Sequence, residues 1–246
     1  MLEIRDLRKS FGSLVVTDGV SLSITAGARE AVIGPNGAGK TTLFNLLSGE
    51  LRADSGSIRL AGREVTQLSP NRRVKAGLAR SFQRNNLFLD MTVAESLATA
   101  VAVRTGESRV FWRSFAASRN LHAEAEALAE SVGLADRRDA LVKHLSYGSQ
   151  RQLEIALALA ATPSLLLLDE PTAGMSPEET RAMQRLIAGL PRTLTLLLIE
   201  HDMDVVFDIS ERITVLDYGR VLVQGPPAEI RGSAIVKQIY LGEAVP

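Results

Sequence analysis

The stretch Gly34-Pro35-Asn36-Gly37-Ala38-Gly39-Lys40-Thr41-Thr42 constrains this chain more than any other. It matches Gly, four variable residues, Gly-Lys, then Ser or Thr, the P-loop pattern. Both flanks agree. Ala31-Val32-Ile33 is a short apolar run that reads as a buried strand. Thr42-Leu43-Phe44-Asn45-Leu46-Leu47 reads as a helix with Gly49 as its stop. Glycines lack a Cβ, so backbone N–H groups in such a loop can wrap a polyphosphate. A helix starting near Gly39 adds the positive end of its dipole. The candidate nucleotide-binding residues are therefore Asn36, Gly37, Ala38, Gly39, Lys40, Thr41 and Thr42. Lys40 is expected to reach the β- and γ-phosphates of a bound nucleotide, and the Thr41 hydroxyl to ligate Mg²⁺. The bland alternative is a glycine turn before an ordinary helix, which would have to match every fixed position and both flanks by chance.

Bulk properties set the limits. The chain has 246 residues, room for one large domain or two small ones. Lys plus Arg is 28 and Asp plus Glu is 28, so the charge balance gives no reason to expect nucleic acid as a partner. Zero cysteines exclude a disulfide scaffold and an Fe–S site and fit a reducing compartment. Met1-Leu2-Glu3-Ile4-Arg5-Asp6 lacks the apolar stretch of a signal peptide, and no apolar run approaches the ~18 residues that cross a bilayer. A soluble, cytoplasmic chain is expected, one that can still sit on a membrane protein.

The pattern along the chain is α/β. Leu2-Glu3-Ile4, Val20 to Ile24 and Ser57 to Leu60 alternate apolar and polar residues and read as half-buried strands. From about Arg84 to Ala161 the character turns helical. Thr92-Val93-Ala94-Glu95 is a capping box, and Gln150 to Ala160 reads as a buried helix. Beyond Pro163 strand and helix alternate again. Ser176-Pro177-Glu178-Glu179 opens a helix, and Ile213 to Leu216 with Val221 to Val223 form a hairpin around Asp217-Tyr218-Gly219-Arg220. The expected architecture is a single domain over 1–246. Residues 1–83 and 162–246 build an α/β core with an N-terminal antiparallel β subdomain, and 84–161 build a helical subdomain.

Two further clusters carry chemistry. Leu165-Leu166-Leu167-Leu168-Asp169-Glu170-Pro171 is an apolar strand that ends in two carboxylates. Ligands gather at the carboxyl ends of parallel strands, so Asp169 is expected beside the P-loop as a Mg²⁺ ligand. Glu170 is then placed to polarise a water that attacks the γ-phosphate. The bland alternative is a strand ending in solvated acids. Leu145-Ser146-Tyr147-Gly148-Ser149-Gln150 lies just before the apolar helix. Ser146 and Gly148 there form a second anion site, or Ser146 or Ser149 simply caps the helix; the two readings are compatible.

This order of motifs, continued by Ile199-Glu200-His201-Asp202, resembles the nucleotide-binding subunit of an ABC transporter from about Leu2 to Gly242. The resemblance implies a RecA-like P-loop NTPase core that binds and hydrolyses ATP with Mg²⁺. The usual Leu-Ser-Gly-Gly-Gln signature departs here at Tyr147 and Ser149, while Ser146 and Gly148 keep their places. It implies that Phe11 stacks on adenine and that Val16 touches the base or sugar. Gln83 would lie near Mg²⁺ and the membrane partner, and His201 would contact the γ-phosphate beside catalytic Glu170 and Lys40. Taken alone, Phe11 reads as a core residue rather than a base platform, and His201 as a loop residue whose place at a strand end favours a site. The acidic residue usual after Ser-Ala-Leu is replaced by Ser176 or Pro177.

Within the family, Gly174-Met175-Ser176-Pro177-Glu178-Glu179, Leu-Ser-Tyr-Gly, Glu-His-Asp-Met and Leu-Asp-Tyr-Gly are similar to the branched-chain amino-acid importers. That implies transmembrane permease subunits as partners and a second ATPase subunit, identical or homologous, across the nucleotide. A substrate-binding protein would act indirectly, and the site of action would be the cytoplasmic face of the inner membrane. The same ATP chemistry would serve a urea importer, a lipid exporter or a soluble Fe–S assembly ATPase. Arg109 to Phe115 interleaves three aromatics with two arginines and reads as local packing or as a docking face. Arg84 to Leu89, Phe88 above all, is the better candidate for contact with the permease.

Overall fold

The computed structural model describes residues 1–81, 87–106 and 119–241 and divides into two compact units. The first comprises Met1–Arg80, Ser164–Glu170 and Pro191–Pro246, and the second Ser81–Pro163 and Pro171–Leu190. Pro171–Leu190, expected from the sequence to belong to the core, is part of the second unit. Gln83 and the Arg109–Phe115 segment lie outside the described residues.

The first unit holds both sheets. A six-stranded sheet has the order β10-β9-β3-β8-β7-β6, with β3 (Arg29–Ile33), β6 (Leu78–Arg80), β7 (Leu165–Asp169), β8 (Thr195–Ile199) and β9 (Arg212–Asp217) parallel and β10 (Arg220–Gly225) antiparallel at one edge. Every residue of β3, β7 and β8 is buried. That is why these strands are unbroken apolar runs rather than alternating ones. The hairpin expected around Asp217–Arg220 is the β9–β10 pair.

A second, antiparallel sheet runs β2-β1-β4-β5, from β1 (Leu2–Phe11), β2 (Leu14–Ile24), β4 (Ser55–Leu60) and β5 (Arg63–Glu64). Its long strands extend well past the short alternating pieces visible in the sequence. Register shifts fall between Ile4 and Leu7 and again at Lys9, and Asp6 adopts a left-handed backbone with φ 45°. Each shift resets the two-residue alternation. One apolar core runs from Leu2, Ile4 and Ile58 through Leu43, Phe44 and Leu47 to Leu165 and Leu197, so sheet and P-loop helix share a single interior.

The P-loop helix α1 (Lys40–Ser48) ends at Gly49, whose φ of 84° makes the left-handed cap the sequence anticipated. Its last carbonyls also find a buried partner. Arg73, on α2 (Pro70–Lys75), is 1% exposed and donates to the carbonyls of Leu46 and Leu47 at 2.5 and 2.6 Å and of Thr66 at 2.7 Å. Burial lowers its pKa to about 10. The helices α7 (Met203–Ile209), α8 (Pro227–Gly232) and α9 (Ala234–Leu241) complete this unit.

The second unit is built on α3 (Val93–Thr105), α4 (Arg119–Ser131), α5 (Tyr147–Leu159) and α6 (Pro177–Gly189). Val101, Ala102, Leu121 and Ala160 form its small apolar cluster. Both capping boxes read from the sequence are present, Thr92 with Glu95 and Ser176 with Glu179.

Candidate functional site

The P-loop bends where its glycines require it. Gly39 takes φ 98°, and a Cβ there would lie 2.6 Å from the Val16 carbonyl oxygen. Only glycine suits both the angle and the approach. No side chain caps α1, so its first N–H groups face the loop without a side-chain acceptor. Lys40, 6% exposed, folds back and donates to the carbonyls of Gly34 at 2.6 Å and Pro35 at 3.0 Å. Burial lowers its pKa, against the pull of Glu170 and Asp169. A lysine held on two loop carbonyls can exchange them for the oxygens of an arriving polyanion.

A cleft of about 220 Å³ is lined by Val16, Asn36, Gly37, Ala38, Gly39, Lys40, Thr41, Thr42, Glu170 and His201. The structure thus gathers, within one unit, residues spaced across most of the sequence. Glu170 Oε1 and His201 Nε2 are 2.7 Å apart. Glu170 itself sits at φ 49°, in the left-handed region that non-glycine residues rarely enter, while its N–H bonds the Ile199 carbonyl at 2.9 Å. Such a backbone costs about 1–3 kcal/mol and concentrates at functional positions. His201, expected at a strand end, thus lines the same cleft as Glu170.

Asp169 is 1% exposed at the end of β7. Its Oδ2 accepts from Arg80 Nη2 at 2.6 Å. Nothing in the sequence pointed to Arg80, since a lone arginine after Leu78-Ala79 carries no motif. Phe11 is 48% exposed, so it is not a core residue. It stands at the end of β1 with the Lys9 ammonium 5.5 Å from its ring centroid, outside the lining of the cleft.

The second cluster opens α5 in the other unit. Ser146 is the N-cap, its Oγ accepting the Ser149 N–H at 3.2 Å, so the capping reading holds. The Gly148 N–H donates to Glu179 Oε1 at 3.3 Å, and a Cβ on residue 148 would meet that oxygen at 2.8 Å. The other Glu179 oxygen accepts from the Ser176 N–H and hydroxyl at 3.1 and 3.0 Å. Those bonds to Ser176, led by its N–H, hold the Glu179 carboxyl below its usual range. Tyr147 is 39% exposed, and its hydroxyl accepts from buried Arg151 at 2.8 Å; Arg151 in turn donates to Glu154 at 2.8 Å. Ser146, Gly148, Ser149, Gln152 and Glu179 help line a second hollow of about 240 Å³.

The family model described as "ABC transporter" matches residues 17–173. The chain belongs to the ABC transporter family. It is 40% identical, over 99% of its length and 98% of the relative's, to a high-affinity branched-chain amino acid transport ATP-binding protein of Salmonella typhimurium. The counterpart in Pseudomonas aeruginosa is 39% identical over the same shares. A methionine import ATP-binding protein of Rhizobium johnstonii is 38% identical over 96% of this chain but only 66% of its own. Among solved structures, a nucleotide-free ATP-binding cassette from an ABC transporter superposes with TM-score 0.86 at 28% identity, covering 99% of both chains. An ADP conformation of an ATP-binding cassette matches equally well. The α/β P-loop NTPase architecture expected from the sequence is the one found. No helix among the described residues is long and apolar enough to cross a membrane.

Proposed function

We propose that this chain is the ATP-hydrolysing subunit of an importer for branched-chain amino acids, bound to transmembrane permease subunits and working as a dimer closed by ATP. The 40% identity along 98% of a branched-chain amino acid transport protein carries the substrate class. The cleft carries the chemistry. The Asn36–Thr42 loop and Lys40 hold the β- and γ-phosphates, with Val16 of the cleft toward the base or sugar and exposed Phe11, beyond the lining, free to stack on adenine. Glu170 takes a proton from a water whose oxygen bonds the γ-phosphorus as the bond from that phosphorus to the β,γ-bridging oxygen breaks, releasing ADP and phosphate. His201, hydrogen-bonded to Glu170, holds that carboxylate and faces the terminal phosphate.

The donor set fits Mg²⁺. Thr41 and Asp169 offer two hard oxygens, and among the described residues no cluster of three or more His, Cys, Asp or Glu competes as a metal cage. Mg²⁺ prefers one or two protein oxygens and completes its shell with phosphate and water. When bound, the ion neutralises charge on the β- and γ-phosphates.

Ser146 and Gly148 supply the second face of the nucleotide from the partner copy, so the terminal phosphate joins two chains and its loss releases them. Phe88, 69% exposed, and Leu89 fit a contact with the permease beside the Gln83 segment. Reconstitution with the permease pair and its binding protein tests the substrate. Leucine, isoleucine and valine are expected to stimulate ATP hydrolysis. Stimulation by methionine in their place would move the assignment to the other importer class represented among the relatives.

A further inference from the structure

We propose that Arg80 is a positioning residue for the metal site, clamping together the two elements that carry the metal's protein ligands. The inference rests on the reading of Asp169 and Thr41 as those ligands. Asp169 ends strand β7, and Thr41 lies in the first turn of helix α1. One guanidinium reaches both elements. Arg80 Nη2 donates to Asp169 Oδ2 at 2.6 Å, and Nη1 donates to Asn45 Oδ1, on α1, at 2.6 Å. Nη1 also lies 3.4 Å from Ser48 Oγ and from Glu50 Oε2, just past the end of α1. The ring of Phe44, again on α1, has its centroid 5.8 Å from the guanidinium carbon. The Arg80 side chain is 7% exposed and that of Asp169 is wholly buried.

This geometry does more than neutralise a charge. A carboxylate with one oxygen fixed in a short charge-assisted bond has lost its free rotation, so its other oxygen is presented in one direction. The planar fork also fixes the helix that carries Thr41 relative to the strand that carries Asp169. A lysine could neutralise Asp169, but its single ammonium could not span both partners in a rigid plane. The arrangement is that of an outer-shell residue that tunes a metal ligand, for which substitution typically weakens metal binding about 10- to 100-fold.

The test compares the wild-type chain with Arg80→Met, Arg80→Lys and the control Asp169→Asn. Mn²⁺ binding to the ATP-loaded protein is read by electron paramagnetic resonance. ATP binding in EDTA and thermal stability are read in parallel. Arg80→Met is expected to weaken Mn²⁺ binding about tenfold with metal-free ATP affinity unchanged. Arg80→Lys should recover part of the loss. Wild-type Mn²⁺ affinity in a folded Arg80→Met chain would overturn the proposal. If the methionine variant does not fold, wild-type affinity in Arg80→Lys would overturn it as well. Wild-type affinity in Asp169→Asn would instead remove Asp169 from the metal site, and this proposal with it.

Discussion

The two regions of this chain that fit phosphate differ in how complete they are alone. At the P-loop the backbone is already bent, no side chain caps α1, and buried Lys40 waits on the carbonyls of Gly34 and Pro35. At the start of α5 the donors have partners. Ser146 Oγ holds the Ser149 N–H, and Glu179 holds the Gly148 N–H. The first region presents an uncapped helix start and Lys40 to one cleft. The second is a capped helix end on its own, and under the proposed function it becomes half of a site only against another chain's nucleotide. Under that proposal the first region governs binding and the second governs closure.

Substitutions should separate the two roles. Lys40→Ala is expected to have the largest effect, weakening ATP binding to the isolated chain about 10- to 100-fold through loss of a charge-assisted contact. Titration calorimetry checks it, and wild-type affinity would break the comparison at the P-loop. Ser146→Arg should leave ATP binding by the single chain within about twofold while abolishing hydrolysis, beyond the ~1 kcal/mol lost with the helix cap. Wild-type turnover in that variant would show that α5 is only a capped helix.

A smaller effect belongs to neither region. Glu30, 4% exposed near the start of β3, has its carboxyl pushed up to about 7 by burial. The folded state then binds a proton that the unfolded chain has already released above its value of 4.5. Stability should fall as pH rises from about 4.5 and level off above about 7, by at most about 3 kcal/mol. Glu30→Gln should flatten that profile, gaining more in melting temperature at pH 8 than at pH 5. An unchanged profile would show that Glu30 does not control it.

Much of this architecture is legible in the sequence because the deciding signals are local. The glycine loop, the Leu165–Leu168 run ending in acids and the capping boxes at Thr92 and Ser176 each act within a few residues. Ser176 shows how a departure is absorbed locally. The usual acid is missing at Ser176 or Pro177, yet Ser176 caps α6, with Pro177 at the first turn and Glu179 returning the bond. What the sequence hid depends on distant partners. The lengths of β1 and β2 are masked by register shifts at Asp6 and Lys9. The pairing of Arg80 with Asp169 spans 89 residues, and that of Gly148 with Glu179 spans 31. No periodicity records either pair. Phe11 illustrates the limit of local signals, since an aromatic in a strand reads as core until its exposure is known.

The central claim is that ATP joins two copies of this chain, and sedimentation of the Glu170→Gln variant tests it most directly. Loss of the base should slow hydrolysis by at least about 100-fold and so preserve the bound triphosphate. With saturating ATP the variant should sediment as a dimer, with ADP as a monomer, and with Ser146→Arg added it should stay monomeric in either nucleotide. A Glu170→Gln chain that binds ATP tightly yet remains a monomer, or one that hydrolyses ATP at the wild-type rate, would contradict the account.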